Sequence, residues 1–290
     1  MSESYTDAVS ESEVSSLNNP WLLAAFEGWN DAADAASGTI DHLIDEWDAE
    51  VFAELDAEEY YDFQEVRPLM HRGDDGTTDI IWPTPTIYVA RPRSSDRDVL
   101  LLRGIEPHFR WKSLCSTIVG LAQLAGVTEL ITLGSLLADV PHTRPTPVSV
   151  STNDPAMRER LTVTPAAYTG PIGITTVLSQ TASDAGMSTA SLWAAVPHYL
   201  GEPPCPKATI ALLGNIEDAM DVSLPHGLLK DLAEAWQRGA DELISGDDDL
   251  LEYVRSLEAE RDVADAPGTS GDAIAREFER YLRRRNSGEA

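Results

Sequence analysis

Apolar residues gather in short uninterrupted runs, at Trp21-Leu-Leu-Ala-Ala-Phe26, Val99-Leu-Leu-Leu102, Leu130-Ile-Thr-Leu133 and Ser191-Leu-Trp-Ala194. Such runs, lacking polar alternation, are the mark of strands covered on both faces. Elsewhere the period becomes helical. Ile40, Leu43, Ile44 and Trp47 fall on one side of a helix that follows a turn at Gly28 to Asp31, where Asn30 or Asp31 can cap it. From Asp98 onward strand and helix alternate: strand Val99 to Leu102, helix Trp111 to Ala125, strand Glu129 to Leu133, helix Gly173 to Ala185, strand Thr189 to Ala194, helix Pro206 to Met220. That order predicts an α/β domain, with a largely parallel or mixed central sheet flanked by helices.

The remaining stretches are less regular. Residues 1–19 are rich in Ser, Glu and Asp, and are expected to form a disordered tail. The acidic stretch from Asp48 leads into Tyr60-Tyr-Asp-Phe-Gln-Glu-Val66, which alternates like a strand. Asp79 to Trp82 and Thr86 to Ala90 are expected to pair with each other across Pro83 and Pro85. Residues Gly134 to Val150 read as a long loop, and the prolines at 141, 145, 147 and 155 predict a rigid path for it. Beyond Leu224 the apolar positions Leu228, Leu229, Leu232, Ala235, Trp236 and Ala240, then Leu250, Leu251, Val254 and Leu257, predict two helices. Ile274, Phe278 and Leu282 predict a last one. The chain therefore divides into a tail (1–19), an α/β core (20–224) and a helical C-terminal extension (225–290).

The chemistry concentrates where strands end. His108, His142 and His198 each follow a proline just after an apolar run. In an open α/β sheet ligands bind beyond the carboxyl ends of parallel strands, so residues far apart in sequence can meet there. The candidate pocket comprises Glu27, Asn30, Glu106, Arg110, Asp139, His142, Arg144, Gly173 and His198. Within it, Tyr168-Thr-Gly-Pro-Ile-Gly173 opens a helix whose free N–H groups suit a small anion, to which Arg110 and Arg144 could add bidentate contacts. Glu27-Gly-Trp-Asn-Asp31 sits where a catalytic carboxylate could sit, or where Trp29 simply anchors the turn. No histidine or cysteine spacing matches a metal signature, and no nucleophile elbow, P-loop or dinucleotide fingerprint occurs, so neither a metal nor a cofactor is expected.

Composition narrows the partners. With 21 basic and 49 acidic residues the chain carries a formal charge of −28, which repels nucleic acid and anionic membrane surfaces. Cys115 and Cys205 form no disulfide framework, and the Met-Ser-Glu-Ser start lacks a basic-then-apolar leader, so a cytoplasmic location is expected.

Six runs together resemble the bacterial branch of the proteasome assembly chaperone 2 family: Ala24-Ala-Phe-Glu-Gly-Trp-Asn-Asp-Ala32, Gly104-Ile-Glu-Pro107, Leu136-Leu-Ala-Asp-Val-Pro-His-Thr-Arg-Pro145, Gly170-Pro-Ile-Gly173, Ser191-Leu-Trp-Ala-Ala-Val-Pro-His-Tyr199 and Phe278-Glu-Arg-Tyr-Leu282. The resemblance spans nearly all of residues 20–285. It implies a phosphorylase/hydrolase-like core, a helical C-terminal extension and a homo-oligomer, as a trimer. It implies no established reaction. Eukaryotic relatives assemble the proteasome α-ring, which makes proteasome subunits the expected partners. Archaeal relatives bind through a C-terminal hydrophobic-Tyr-x tail, a pattern not matched by Asn286-Ser-Gly-Glu-Ala290. The leading expectation is a non-catalytic, oligomeric interaction protein. The alternatives are a phosphorylase/hydrolase-like enzyme or small-anion binder using the strand-end pocket, and Pro-His loops that make subunit contacts.

Overall fold

The computed structural model describes residues 17–73, 75–163 and 168–264. The first apolar run forms β1 (Trp21–Glu27), buried on both faces at the centre of a seven-stranded sheet. It pairs in parallel with β6 (Val99–Ile105) on one side and β7 (Glu129–Ala138) on the other, Leu22 lying opposite both Leu100 and Leu130. β7 pairs in parallel with β9 (Ser188–Pro197). Antiparallel strands close the edges, β5 (Thr86–Ala90) and β2 (Glu50–Glu54) beyond β6, and β8 (Val148–Thr152) beyond β9. The sheet is therefore mixed, in the order β2-β5-β6-β1-β7-β9-β8, with its parallel strands innermost.

Alternate residues of β1 feed two cores, as the two-residue period of a strand requires. Trp21, Leu23 and Ala25 pack with Ile40 and Leu43 of α1 (Ala35–Glu46) and Leu212, Leu213 and Ile216 of α5 (Pro206–Met220). Leu22, Ala24 and Phe26 pack with Leu114 and Ile118 of α2 (Trp111–Leu124) and Leu178 of α4 (Ile174–Asp184). The short α3 (Pro155–Arg160) adds Met157 to the first core. Beyond α5, α6 (Leu229–Ser245) packs on it and α7 (Asp248–Ala264) packs on α6. No helix among the described residues is long and apolar enough to cross a membrane.

Three local expectations need correction. Tyr60 to Val66 is not a strand: a single 3-10 turn over Ala57–Glu59 runs into it, with the N–H groups of Tyr60 and Tyr61 both donating to the Ala57 carbonyl, at 3.2 and 3.1 Å. Instead the Tyr61 hydroxyl donates to the Ile105 carbonyl at 2.7 Å, and the Asp62 carboxylate turns the chain by accepting from the Gln64 N–H at 2.8 Å. The segment expected to pair with Thr86 to Ala90 forms β4 (Thr78–Ile81), whose partner is β3 (Leu69–Arg72), because both edges of β5 are taken by β2 and β6. The acidic stretch contains the edge strand β2, which turns Phe52 and Ala53 inward and leaves Glu50 and Glu54 in solvent. The long loop is shorter than expected, since β7 runs on to Ala138 and β8 begins at Val148. The indole of Trp193 lies flat enough on Gly134 that a Cβ there would come within 2.7 Å of it. Of the tail expected at residues 1–19, residues 1–16 lie outside the described residues, as does the helix expected around Ile274, Phe278 and Leu282.

At the amino end of the sheet the chain is pinned by charge. Asn18 N–H donates to Asp98 Oδ2 at 2.8 Å, and Arg97 donates through Nε to the Asn19 carbonyl at 2.6 Å while lying over the Trp21 ring at 4.5 Å. Arg97 also makes two bonds to the Glu129 carboxylate, one of them 3.1 Å from Nη1 to Oε1. Burial pushes Glu129 up, but the bonds from Arg97 and Thr128 outweigh it and hold the carboxyl below the ordinary glutamate range. A depressed native pKa adds stability above the unfolded value and loses it as pH falls through the native one. Glu129→Gln should therefore cost about 1 kcal/mol at pH 7. In urea titrations this difference should shrink as the pH drops below about 4.

Candidate functional site

The parallel strands all end at one edge of the sheet, and the loops that follow β1, β6 and β7 carry most of the candidate residues. After β1 the chain turns at Gly28, whose φ of +104° favours glycine, and Glu106 N–H donates to the Glu27 carbonyl at 2.9 Å. Asn30 is fully buried. Its Nδ2 donates to Glu106 Oε1 at 2.7 Å, and the same carboxylate oxygen accepts the Ile174 N–H of α4 at 2.9 Å. Thr175 Oγ1 donates to Asn30 Oδ1 at 3.3 Å. Gly173 is where this junction closes, for a Cβ on it would lie 1.8 Å from Asn30 Oδ1. The helix end read as an anion site thus already holds an anion, the chain's own Glu106 carboxylate, placed where the helix dipole favours it.

Asp31, next in sequence, caps α1 by accepting from the Ala36 N–H at 2.7 Å, and Ser135 Oγ of β7 donates to it at 3.2 Å. Burial pushes its carboxyl above the usual carboxylate range, and the bonds from Ser37 and Ala36 only partly offset this. Glu27 pairs with Arg103 of β6. It takes a bond of 2.5 Å from Arg103 Nη2, while Arg103 Nε donates to Asp41 Oδ1 at 2.7 Å. These residues line an open groove of about 230 Å³ with Trp82 and Tyr88. Burial works against the Arg103 charge, but the carboxylates of Asp41 and Glu27 outweigh it.

Two of the three histidines share a second cluster. His142 is 2% exposed. Its backbone N–H donates to the Tyr199 hydroxyl at 2.9 Å, and that oxygen also lies 2.9 Å from Nδ1. The Tyr199 oxygen accepts from the N–H and shares a proton with Nδ1, and Nε2 lies 3.1 Å from Asp241 Oδ1. Burial pushes Tyr199 up to about 12, so it keeps that proton at neutral pH. His198 lies 3.2 Å from Asp139 and edge-on to Tyr199 and Tyr253, while the Tyr253 hydroxyl donates to Asp139 at 3.0 Å. Arg144 grips Asp262 with two bonds of 2.8 Å and reaches Glu258 at 3.2 Å, and Thr143 donates to the same Glu258. Lys207, at the start of α5, donates to the His142 carbonyl and to Gln237 at 3.0 Å. The loop after β7 is therefore a clamp on α6 and α7.

The other candidates lie elsewhere. His108 accepts the Asp62 N–H at 3.2 Å and packs edge-on to Tyr61, on the far side of β1 from the other two histidines. Arg110 takes a left-handed backbone at the start of α2 and pairs with Glu59. Neither Arg110 nor Arg144 points its charge at the α4 N-terminus. Among the described residues no group of three His, Cys, Asp or Glu side chains could hold a metal ion. The partners that the sequence did not single out are Asp241, Tyr253, Glu258 and Asp262. The available signal was the four-residue spacing of Glu258 and Asp262, which puts both on one face of a helix, ready for one arginine.

Two consequences are measurable. Gly173→Ala should destabilise the fold by about 1–3 kcal/mol through overpacking. Adding Asn30→Ala should return part of that loss in a double-mutant cycle read by thermal melting, because the clash is with that one side chain. Arg144→Ala should speed hydrogen exchange across 248–264, leaving the exchange of β1 and β6 unchanged, since it frees α7 without touching either core.

The geometry has known counterparts. The family model described as PAC2 family matches residues 25–244, a span that takes in the sheet, the Asn30–Glu106 junction and Asp241 but stops short of α7. A PAC2 family protein from Streptomyces avermitilis is 49% identical with a TM-score of 0.77, covering 81% of this chain and 99% of that one. A proteasome-assembly chaperone homologue from Mycobacterium tuberculosis is 44% identical with a TM-score of 0.74, again covering 81% of this chain and 99% of that one. An archaeal proteasome activator from Pyrococcus furiosus shares the fold at 16% identity and a TM-score of 0.63, over 79% of this chain and 94% of its own. No curated protein matches the chain. With the family model matching from within β1 to the end of α6, this chain belongs to the PAC2 family.

Proposed function

We propose that this chain is a non-catalytic, self-associating interaction protein of the proteasome-assembly kind, with proteasome subunits as its partners. The observation that carries the reading is the state of the strand-end edge. The polar groups that an α/β enzyme would offer to a ligand are spent on internal bonds, Glu106 on Asn30 and α4, His142 on Tyr199 and Asp241, Arg144 on α7. Around that closed edge large apolar side chains stand in solvent instead. Trp29 is 63% exposed and Tyr168 71%, with Phe109 and Ile172 also exposed, and all four lie in the segments that flank Asn30, Glu106 and Gly173. Exposed aromatic and aliphatic groups gathered at one edge suit a protein partner. A PAC2 relative that is a proteasome-assembly chaperone homologue supports the same reading.

The groove at Glu27 and Arg103 favours a second reading, a small-molecule binder or enzyme. It is the weaker one, because Arg103 is already neutralised by Glu27 and Asp41. Mixing the full chain with proteasome α-subunits and following ring formation by native mass spectrometry tests the first. Binding is expected, weakened at least about tenfold by Trp29→Ser together with Phe109→Ser. Failure of the unaltered chain to bind α-subunits or change their assembly removes the proteasome link.

A further inference from the structure

The groove beside Glu27 is built on one face of the seven-stranded sheet. Strand residues two apart share a face, so Glu27 stands on the side of Trp21, Leu23 and Ala25, and Tyr88 on the side of Thr86. Arg103 lies opposite Ala25 on β1 and Thr86 on β5, which puts all of them on the same side. This is the face that Ile40 and Leu43 of α1 cover, and the groove opens beside that helix, with its Asp41 in the lining.

Arg103 has no charge to spare for a ligand. It donates from Nε and Nη2 to the two oxygens of Asp41 at 2.7 and 3.2 Å, from Nη2 to Glu27, and from Nη1 to the Gly104 carbonyl at 3.0 Å. An incoming anion would have to displace two carboxylates from that guanidinium. A cation meets the opposite situation. Among the described residues Glu27 Oε2 receives no hydrogen bond, and the side chains of Glu27 and Asp41 are about half exposed. Asp34 lies within electrostatic reach of both, so three carboxylates stand against one guanidinium. Burial and then the charge of Glu27 raise the Asp34 carboxyl above its ordinary range in spite of Arg103. Acidic residues alone are common in this chain, residues 48–65 holding eight with no basic one. What marks this place is an enclosed volume with aromatic walls. Trp82 is 45% exposed and held by Phe63 at 4.9 Å, and Tyr88 is half-buried. The negative face of such rings attracts a cation.

We propose that this groove binds an organic cation, a primary ammonium or guanidinium on a short alkyl stem, with its charge at Glu27 and Asp41 and its stem on Trp82. About 230 Å³ gives room for roughly seven groups the size of a water, enough for such a ligand. A lysine or arginine side chain of a partner protein and a free amine both present this chemistry. The proposal gives the groove its ligand class and stands apart from the proteasome reading, which rests on Trp29 and its neighbours.

The test is a titration of the isotope-labelled full chain at low ionic strength, following the Trp82 indole N–H, which is assigned by its loss in Trp82→Phe. N-acetyl-lysine amide should shift that signal with a Kd of about 1 mM, and sodium acetate should not. Calorimetry with the same probe should find Trp82→Leu, which leaves the charge of −28 untouched, at least about threefold weaker. Glu27→Gln should also be about threefold weaker, while Glu234→Gln, which removes the same charge from the exposed face of α6, should bind as the unaltered chain does. Putrescine binding more tightly than the lysine amide would assign the groove to free amines, and the reverse order to a partner's side chain. An indole signal that neither cation moves would overturn the proposal. So would a loss in Glu234→Gln as large as in Glu27→Gln, the sign of general attraction to an acidic chain. Should a variant fail to melt cooperatively, the indole signal of the unaltered chain still decides, and α-subunit binding is read independently of either result.

Discussion

β1 has no side that meets water: Trp21, Leu23 and Ala25 lie in one core, and Leu22, Ala24 and Phe26 in the other. A strand of this kind must have parallel neighbours and a helical layer on each face, because antiparallel hairpins would leave one face open. Each fully buried leucine contributes about 2 kcal/mol by leaving water, so the central strands reward this arrangement strongly. The helical connections then bring all their carboxyl ends to one edge. Every polar feature of the candidate site follows from that alignment.

At that edge the polar groups are paired within the chain. An exposed helix N-terminus beside a carboxylate and an amide would be a ready ligand site, yet Glu106 and Asn30 satisfy each other and α4. A buried carboxylate is stable only when such partners surround it. The same economy governs the loop after β7, whose histidine, threonine and arginine all reach into α6 and α7. Polar groups there bind the C-terminal helices to the core, while Trp29, Phe109, Tyr168 and Ile172 stay exposed.

Two groups of large apolar side chains stay exposed. Trp29, Phe109, Tyr168 and Ile172 ring the closed junction, while Leu69, Met70, Ile80 and Ile81 sit on a separate ribbon. Residues 48–65 and 229–264 together hold 19 of the 49 acidic residues.

The hydrophobic runs by themselves determined the central strands, the helices between them and the α/β class, because doubly covered strands and amphipathic helices leave distinct periods in a sequence. Pro-His motifs after the strands showed where polar loops begin. Tertiary structure alone decided which histidines meet: His142 and His198 follow the adjacent strands β7 and β9, whereas His108 follows β6 across β1. It also decided that Asp79 to Ile81 pairs backward with β3, since only the assembled sheet shows that both edges of β5 are occupied. The fate of Glu106, Arg110 and Arg144 was equally out of reach. Whether a charged side chain faces a ligand or an internal partner depends on residues up to 118 positions away, as from Arg144 to Asp262, and local sequence carries no record of such a distance.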